Sequence, residues 1–471
     1  MLRAPEKDLC PGGPATDGCP VGSLRRRAPV QGTAGIGARP FDSADRRFNL
    51  KLTWFVGIDW GSQKHQACVL DAAGKVLGER EFEHGGAGLS QMADWLLSFG
   101  AADESEVGVA VETPSGPVVE SLMERGFVVH SINPKQLDRF RDRMSPAGAK
   151  DDRRDARVLA SALRTDPHCL RQLEPTDPAI IELREWSRLD EDLTRERVRL
   201  ANRMRQQLWR YYPQFLDAVD DDVAAPWVLD LWRRLPTPRA ARRVREVTLT
   251  RVLKQHRIRR ISASTLRDRL RAPAVKLAPG AAEAAVAHVR LVAERLALVN
   301  RQLDHAHREL GRLVDQLTGA APADDPSAST EDEPSSQEPR DAAILLSLPG
   351  IGTKVLAALL AEGGDAVRRR DFGALRCLCG VAPVTRRSGK SMIVTRRLAA
   401  HNRLRDAAYH WARVAAHRDP ASHDKYQSLR ARGHGHARAL RSVADRLLSV
   451  ACAMLRDRAR FDPHRVGSAA T

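Results

Sequence analysis

Residues 54–83 read WFVGIDWGSQKHQACVLDAAGKVLGEREFE. The run Phe55–Asp59 is apolar up to its last residue and stops at Asp59-Trp60-Gly61-Ser62, a turn signal. His65–Leu70 alternates roughly and runs into a second turn, Asp71-Ala72-Ala73-Gly74. Lys75–Glu83 then reads as a third strand. Turns this short link strands as hairpins, so the three are antiparallel neighbours. Further on, Leu89–Phe99 has helical spacing and Val107–Val111 is a buried-strand run that ends at Glu112. Pro114–Arg125 reads as a helix with proline near its first turn, and Phe127–Ile132 as a strand stopped by Asn133-Pro134. Three hairpin-linked strands followed by alternating helices and strands predict a mixed α/β sheet.

The chain has 471 residues, enough for two to four domains. Lys and Arg number 76 against 59 Asp and Glu, a formal net charge of +17. That balance favours a polyanionic partner, because basic side chains neutralise phosphates and release counterions. Aromatics are only 5% of residues, so the cores must be built from Leu, Val and Ala. Cysteines at 10, 19, 68, 169, 377, 379 and 452 form no C-x-x-C pair, which argues against a zinc site and for a reducing, cytoplasmic compartment. No apolar run reaches transmembrane length and no signal-peptide core opens the chain, so no membrane role is expected.

Residues 1–53 are rich in Gly, Pro, Arg and Ala without periodicity and read as a disordered extension, its Arg25–Arg27 run as a solvated tail. Residues 54–165 form the α/β domain. From 166 to 318 the chain is helical. Leu189, Leu193, Leu200, Met204, Leu208 and Tyr211 recur at helical spacing, and Val289, Val292, Leu296, Val299, Leu303, Ala306, Leu310, Leu313 and Leu317 keep heptad steps. Such a heptad serves a coiled coil between subunits or a helical hairpin with residues 180–212. An acidic, Pro/Ser-rich linker at 319–340 precedes a mostly helical domain at 341–458 and a tail at 459–471.

Asp59 and Glu112 each close a strand, and adjacent strand ends can bring them together. Asp152 and Asp155 stand three apart in a helical segment and are expected to share a face, with Asp151 an alternative to Asp152. Four clustered carboxylates repel one another, so the site calls for Mg²⁺ or Mn²⁺. Two such ions can clamp the attacking and leaving oxygens of a phosphodiester. In the second domain, Leu345–Leu360 reads as helix, Pro-Gly-Ile-Gly turn, helix, a pattern similar to a helix-hairpin-helix. Its Gly350 and Gly352 would admit a phosphate to the backbone, with Lys354 beside them. Further on, Arg386-Arg387-Ser388-Gly389-Lys390-Ser391, then Arg396 and Arg397, are candidate nucleic-acid contacts, as is Lys150 in the first domain. His434 and His436 have no third ligand in sight and are read as structural.

The segments Gly57-Ile58-Asp59, Val111-Glu112-Thr113-Pro114-Ser115-Gly116, Ile132-Asn133-Pro134 and Lys150-Asp151-Asp152-Arg153-Arg154-Asp155-Ala156 resemble the DEDD transposases of bacterial insertion sequences, whose first domain is ribonuclease-H-like and similar to Holliday-junction resolvases. The stretch from Gly380-Val381-Ala382-Pro383 through Ser388-Gly389-Lys390, Arg396, Arg397, Asn402 and Arg405 resembles the C-terminal domain of the same family. The resemblance implies Asp59, Glu112, Asp152 and Asp155 as metal ligands and catalytic residues. In this sequence Asp151 stands where the family usually carries a small hydroxyl residue. It implies Ser388 as a nucleophile that joins covalently to DNA, with Ser391 the runner-up, activated by the carboxylate site of the same or a partner subunit. It further implies donor and target DNA, a structured guide RNA, and a dimer or tetramer. A water-using, structure-selective nuclease and a non-catalytic nucleic-acid-binding protein are the competing readings. The Ser388 region argues against the first, and the presence of all four carboxylates against the second.

Overall fold

The computed structural model describes residues 52–144, 151–174, 177–220, 222–278, 280–319, 340–389 and 391–463. Lys150, Lys390, nearly all of the expected extension, almost all of the acidic linker and the end of the tail lie outside the described residues. The chain forms two compact units, 1–174 and 175–471.

The first unit is built on a six-stranded sheet. Its strands are β1 (Trp54–Trp60), β2 (Lys64–Leu70), β3 (Val76–Glu83), β4 (Val107–Val111), β5 (Val128–Ser131) and β6 (Arg171–Gln172), in the order β3-β2-β1-β4-β5-β6. β1 pairs antiparallel with β2 and parallel with β4, and β4 is parallel to β5. Helices α1 (Gly86–Leu97) and α2 (Pro117–Glu124) supply apolar side chains to one core, and α3 (Pro134–Met144) and α4 (Asp152–Thr165) to another.

Strand parity assigns each residue to a face. Val56, Ile58, Val107, Val109 and Val111 pack with Leu89, Met92, Leu96, Val118 and Leu122. Phe55, Gly57 and Ala110 fall on the opposite face, where Ala110 packs with Val158, Leu159 and Leu163 of α4. Gly57 lies directly under α4: a Cβ there would stand 1.9 Å from the Ala156 carbonyl oxygen and 2.5 Å from the Ala160 nitrogen. Arg157 of α4 reaches Glu79 of β3 at 2.6 Å, and Arg153 bonds the same carboxylate.

The reading of Asn133-Pro134 as a simple stop needs extension, because it also starts α3. Pro134 occupies the first turn, where a missing N–H costs nothing, and the Asn133 side chain accepts from the Lys135 N–H at 3.0 Å.

Buried His130 of β5 gives the first unit a pH signature. Burial pushes its pKa down to about 4, against a weak opposing bond to the Val128 carbonyl. Above the ordinary histidine range both folded and unfolded chains carry it neutral. Below about 6.5 the unfolded chain takes up a proton that the folded chain refuses until about pH 4. Stability is therefore expected to fall with acidification across that window, by about 1.4 kcal/mol per pH unit at most. Melting curves between pH 7 and 4 should show a shallower slope in His130→Val, whatever the absolute melting temperature. An unchanged slope would assign the acid sensitivity elsewhere.

The second unit is helical apart from one ribbon. α5 (Pro178–Tyr211) and α11 (Ala281–Thr318) run antiparallel against each other. Glu182 meets Arg312 at 2.7 Å near one end, and Arg197 meets Asn300 at 2.9 Å further along. The heptad residues Val289 through Leu313 are buried. Of the two pairings open to that heptad, the structure contains the one within the chain. α6 (Pro213–Val219), α7 (Pro226–Arg234), α8 (Pro238–Arg243), α9 (Glu246–Gln255) and α10 (Ala263–Leu270) share a core with the C-terminal part of α5 and the N-terminal part of α11, one end of this hairpin. Trp232 donates to the Tyr211 hydroxyl at 2.8 Å, which itself donates to the Pro236 carbonyl.

The other end of the hairpin is embedded in a second core. Leu183 of α5 and Leu310 and Leu313 of α11 pack with α12 (Asp341–Leu346), α13 (Thr353–Arg368), α14 (Phe372–Leu378), α15 (Asn402–Arg418) and α17 (His436–Asp457), while α16 (Pro420–Ala431) packs on α15 and α17. Between α14 and α15 the chain forms a two-stranded antiparallel ribbon, β7 (Val384–Ser388) and β8 (Ser391–Thr395).

Candidate active site

The first-unit site begins with the parallel register of β1 and β4. Gly57 pairs with Ala110 and Ile58 with Val111, so Asp59 and Glu112 occupy the next step on both strands. By parity both point to the face that Gly57 and Ala110 share, the face covered by α4. Because Gly57 has no side chain, α4 lies close enough to bring its first turn to these strand ends. Asp155 on that turn is 1% exposed. Asp151 occupies the N-cap of α4 and Asp152 its first helical position, and both are exposed. Asp152 and Asp155, three apart on α4, thus differ in burial. Three residues on an α-helix leave an offset of roughly 60°, enough here to bury one carboxylate and leave the other in water.

One guanidinium organises the cluster. Arg141 of α3 meets both oxygens of Asp155, Nε to Oδ1 at 2.6 Å and Nη2 to Oδ2 at 2.9 Å. Its Nη1 donates to Asp138 at 2.5 Å, and its Nη2 lies 3.9 Å from Glu112 Oε2. Asp155 foremost, and Asp138 with it, push the Arg141 pKa up against the opposing effect of burial. As they stand, no three His, Cys, Asp or Glu side chains among the described residues converge into a ready cation cage. The expected metal set is thus only partly assembled: Glu112 and Asp155 converge on one cation, which is Arg141, while Asp152 faces solvent. The donors are nonetheless all carboxylate oxygens, the chemistry that suits a hard divalent ion.

The second-unit site is the ribbon. Its last ladder pair is Ser388 opposite Ser391, joined by a turn at Gly389 with φ +53°. Cross-strand partners share a face, so both serines and Arg386 project to one side and Arg387 to the other. Ser388, Ser391, Arg386 and Arg387 are exposed, as are Met392, Ile393 and Val394. Just beyond, Arg396 and Arg438 both stand near Arg441 of α17. Burial and the charges of these two neighbours push the Arg441 pKa down. None of the three has an ion-pair partner among the described residues. Arg397 is half-buried.

The helix-turn-helix segment lies in the same unit, between α12 and α13. Gly350 has φ +84° and packs on α15, with a Cβ position 2.8 Å from the Ala415 nitrogen, so its glycine serves helix packing. Trp411 of α15 donates to the Pro349 carbonyl at 2.9 Å and seals the turn. Gly352 opens outward with nothing near its Cβ position. Lys354 is committed to Asp190 of α5 at 2.9 Å. The pair ties α13 to α5. His436 lies between the hydroxyls of Tyr426 (2.8 Å) and Tyr409 (3.3 Å).

Sequence reasoning missed Arg141, because it assigned no helix after Pro134. It also missed Glu362 of α13, an acid with an 8% exposed side chain. Arg188 of α5 grips Glu362 at 3.0 and 3.2 Å, and His401 and Arg403, beyond the ribbon, approach at 3.5 and 3.6 Å. Burial alone would raise the Glu362 pKa, but these cations, Arg188 first, hold it below the usual range. The stem that follows the ribbon is thereby fixed to two helices.

Comparison with known proteins agrees with both halves of the chain. Residues 56–213 match a family described as transposase, under the DEDD and IS110 label. Residues 342–427 match the transposase IS116/IS110/IS902 family. A Sinorhizobium fredii protein, y4uE, named for a transposase, is 52% identical over 55% of this chain and 74% of its own length. The Streptomyces coelicolor protein named as the mini-circle transposase for IS117 is 33% identical over 88% of this chain and 96% of its own. A 42 kDa protein of the IS900 insertion element from Mycobacterium paratuberculosis is 28% identical over 88% and 99%. With the two matches in the order of the two sites, the chain belongs to the IS116/IS110/IS902 family of transposases, enzymes of DNA recombination.

Proposed function

We propose that this transposase cuts and rejoins DNA with a ribonuclease-H-like carboxylate site and a separate serine nucleophile, Ser388, under the guidance of a structured RNA. The convergence of Glu112 and Asp155 on one cation carries the reading of the first site. The order β3-β2-β1-β4-β5, with β2 antiparallel and α4 packed on β1, supports the ribonuclease-H-like assignment. Asp59, Glu112 and Asp155 would hold Mg²⁺ or Mn²⁺, with Asp152 joining from the exposed first turn of α4. The bound ion would supply Lewis-acid stabilisation of charge on the phosphodiester oxygens.

The chain's own groups do the rest. The Ser388 oxygen attacks phosphorus, the new serine–phosphate bond forms as the bond to a sugar oxygen breaks, and the departing sugar oxygen takes a proton. Serine needs a base or equivalent activation to lose its own proton. Arg386, on the same ribbon face, is placed to neutralise the attacked phosphate, and Arg387, Arg396 and Arg397 to hold flanking backbone. Donor and target DNA and the RNA are polyanions matched by the +17 charge. Family resemblance adds a dimer or tetramer as the working form.

The test incubates the full chain with RNA transcribed from the flanking element, labelled donor and target DNA, and Mg²⁺, followed by denaturing electrophoresis. A covalent protein–DNA band is expected, and it should vanish in Asp59→Ala, Glu112→Ala and Asp155→Ala. Asp152→Ala should lose it as well while Asp151→Ala keeps it. Cleaved DNA with no adduct would replace this mechanism with a water-using nuclease.

A further inference from the structure

We infer that Arg141 is a resident counter-ion of the carboxylate site, which the divalent cation must displace from Asp155 before the site is complete. The inference rests on the reading that these carboxylates hold metal. Asp155 is buried, and a buried carboxylate without a partner is strongly disfavoured. Arg141 answers that need through a two-pronged contact that uses both Asp155 oxygens. The same two oxygens are the ones a metal would use.

The surroundings of the guanidinium fit a movable occupant rather than a fixed brace. Its side chain keeps 22% of its surface in solvent, where Asp155 keeps 2%. It has a second seat in place: Asp138, one turn earlier on α3 and 65% exposed, already holds Nη1. Glu112 stands 3.9 Å from Nη2, beyond hydrogen-bond reach, so it is drawn toward the same positive centre without being locked to it. A cation that takes Asp155 and Glu112 leaves Arg141 paired with Asp138. Arg141 is therefore a positioning residue: it keeps the acids folded together in the absence of metal and sets the affinity with which metal enters.

A fixed brace and a displaceable counter-ion differ in the sign of one measurement. Mn²⁺ alone is titrated calorimetrically into the full chain, without nucleic acid, for wild type, Arg141→Gln and Arg141→Lys. Two charge-assisted bonds are surrendered on metal entry, so Arg141→Gln is expected to bind Mn²⁺ on the order of tenfold more tightly. Arg141→Lys, which keeps the charge but not the fork, should fall between. In thermal melts, metal-free Arg141→Gln should unfold below wild type and gain more from Mn²⁺. Weaker or unchanged Mn²⁺ affinity in both variants, with wild type binding normally, overturns the displacement and makes Arg141 a brace or bystander. Absence of binding in wild type and variants alike overturns the metal reading itself, and the competition with it.

Discussion

Gly57→Ala is expected to abolish strand exchange and to destabilise the first unit by about 3 kcal/mol, the upper end of the range for overpacking. The new methyl would fall 1.9 Å from the Ala156 carbonyl oxygen, 2.5 Å from the Ala160 nitrogen and 2.8 Å from the Leu159 Cβ. Two of these are main-chain atoms, which cannot swing aside as a side chain can. Helix α4 must lift off β1, and it takes Asp152 and Asp155 with it. The loss of activity should therefore exceed what the loss of stability explains. Mn²⁺ binding measured well below the melting temperature separates the two. Gly86→Ala is the control, since that position opens onto empty space near the start of α1. Normal metal binding and activity in a folded Gly57→Ala protein would show that α4 does not set the carboxylate spacing.

Ser388→Ala is expected to remove the covalent adduct and to lower strand exchange by at least about four orders of magnitude, as loss of a nucleophile does in serine enzymes. No change in stability should accompany it, because Ser388 is exposed on a ribbon whose described residues are mostly exposed. Ser391→Ala provides the comparison. The two hydroxyls stand on facing ladder positions of one ribbon face, so location alone does not separate them. An adduct that persists in Ser388→Ala and disappears in Ser391→Ala would move the nucleophile across the ribbon. Persistence in the double variant would remove serine from the chemistry.

Much of the first unit was legible because its strands announce themselves. Val107–Val111 is a pure apolar run with Glu112 at its end, and the two hairpin turns carry Gly61 and Gly74. Asp59 and Glu112 could be placed at strand ends from pattern alone. Their approach to each other could not, since it depends on the parallel register of two strands distant in sequence. Helix α3 escaped notice because Lys135–Met144 sets Leu137, Phe140 and Met144, three apolar residues at helical spacing, among Arg and Asp, too short a stripe to stand out. Arg141 went with it. The ribbon escaped for the opposite reason: both its faces meet solvent, so no inside–outside alternation marks it. The pairing of Lys354 with Asp190 was not legible either, because Asp190 sits on a helix far away in sequence. Long-range ion pairs leave no local trace.

The ribbon's stem is tied down by ion pairs to two helices, and along its length its described residues are joined by a five-pair ladder and are mostly exposed. Such a hairpin is marginal by itself. Under the proposed mechanism, the shape in which Ser388 works is borrowed from whatever surface the ribbon lies against. Chemistry then becomes conditional on assembly: a chain that has not engaged its nucleic acid carries a hydroxyl without a fixed trajectory. Under that mechanism a cell that makes this protein in the absence of its proper substrate is shielded from stray breaks by geometry, before any inhibitor is needed.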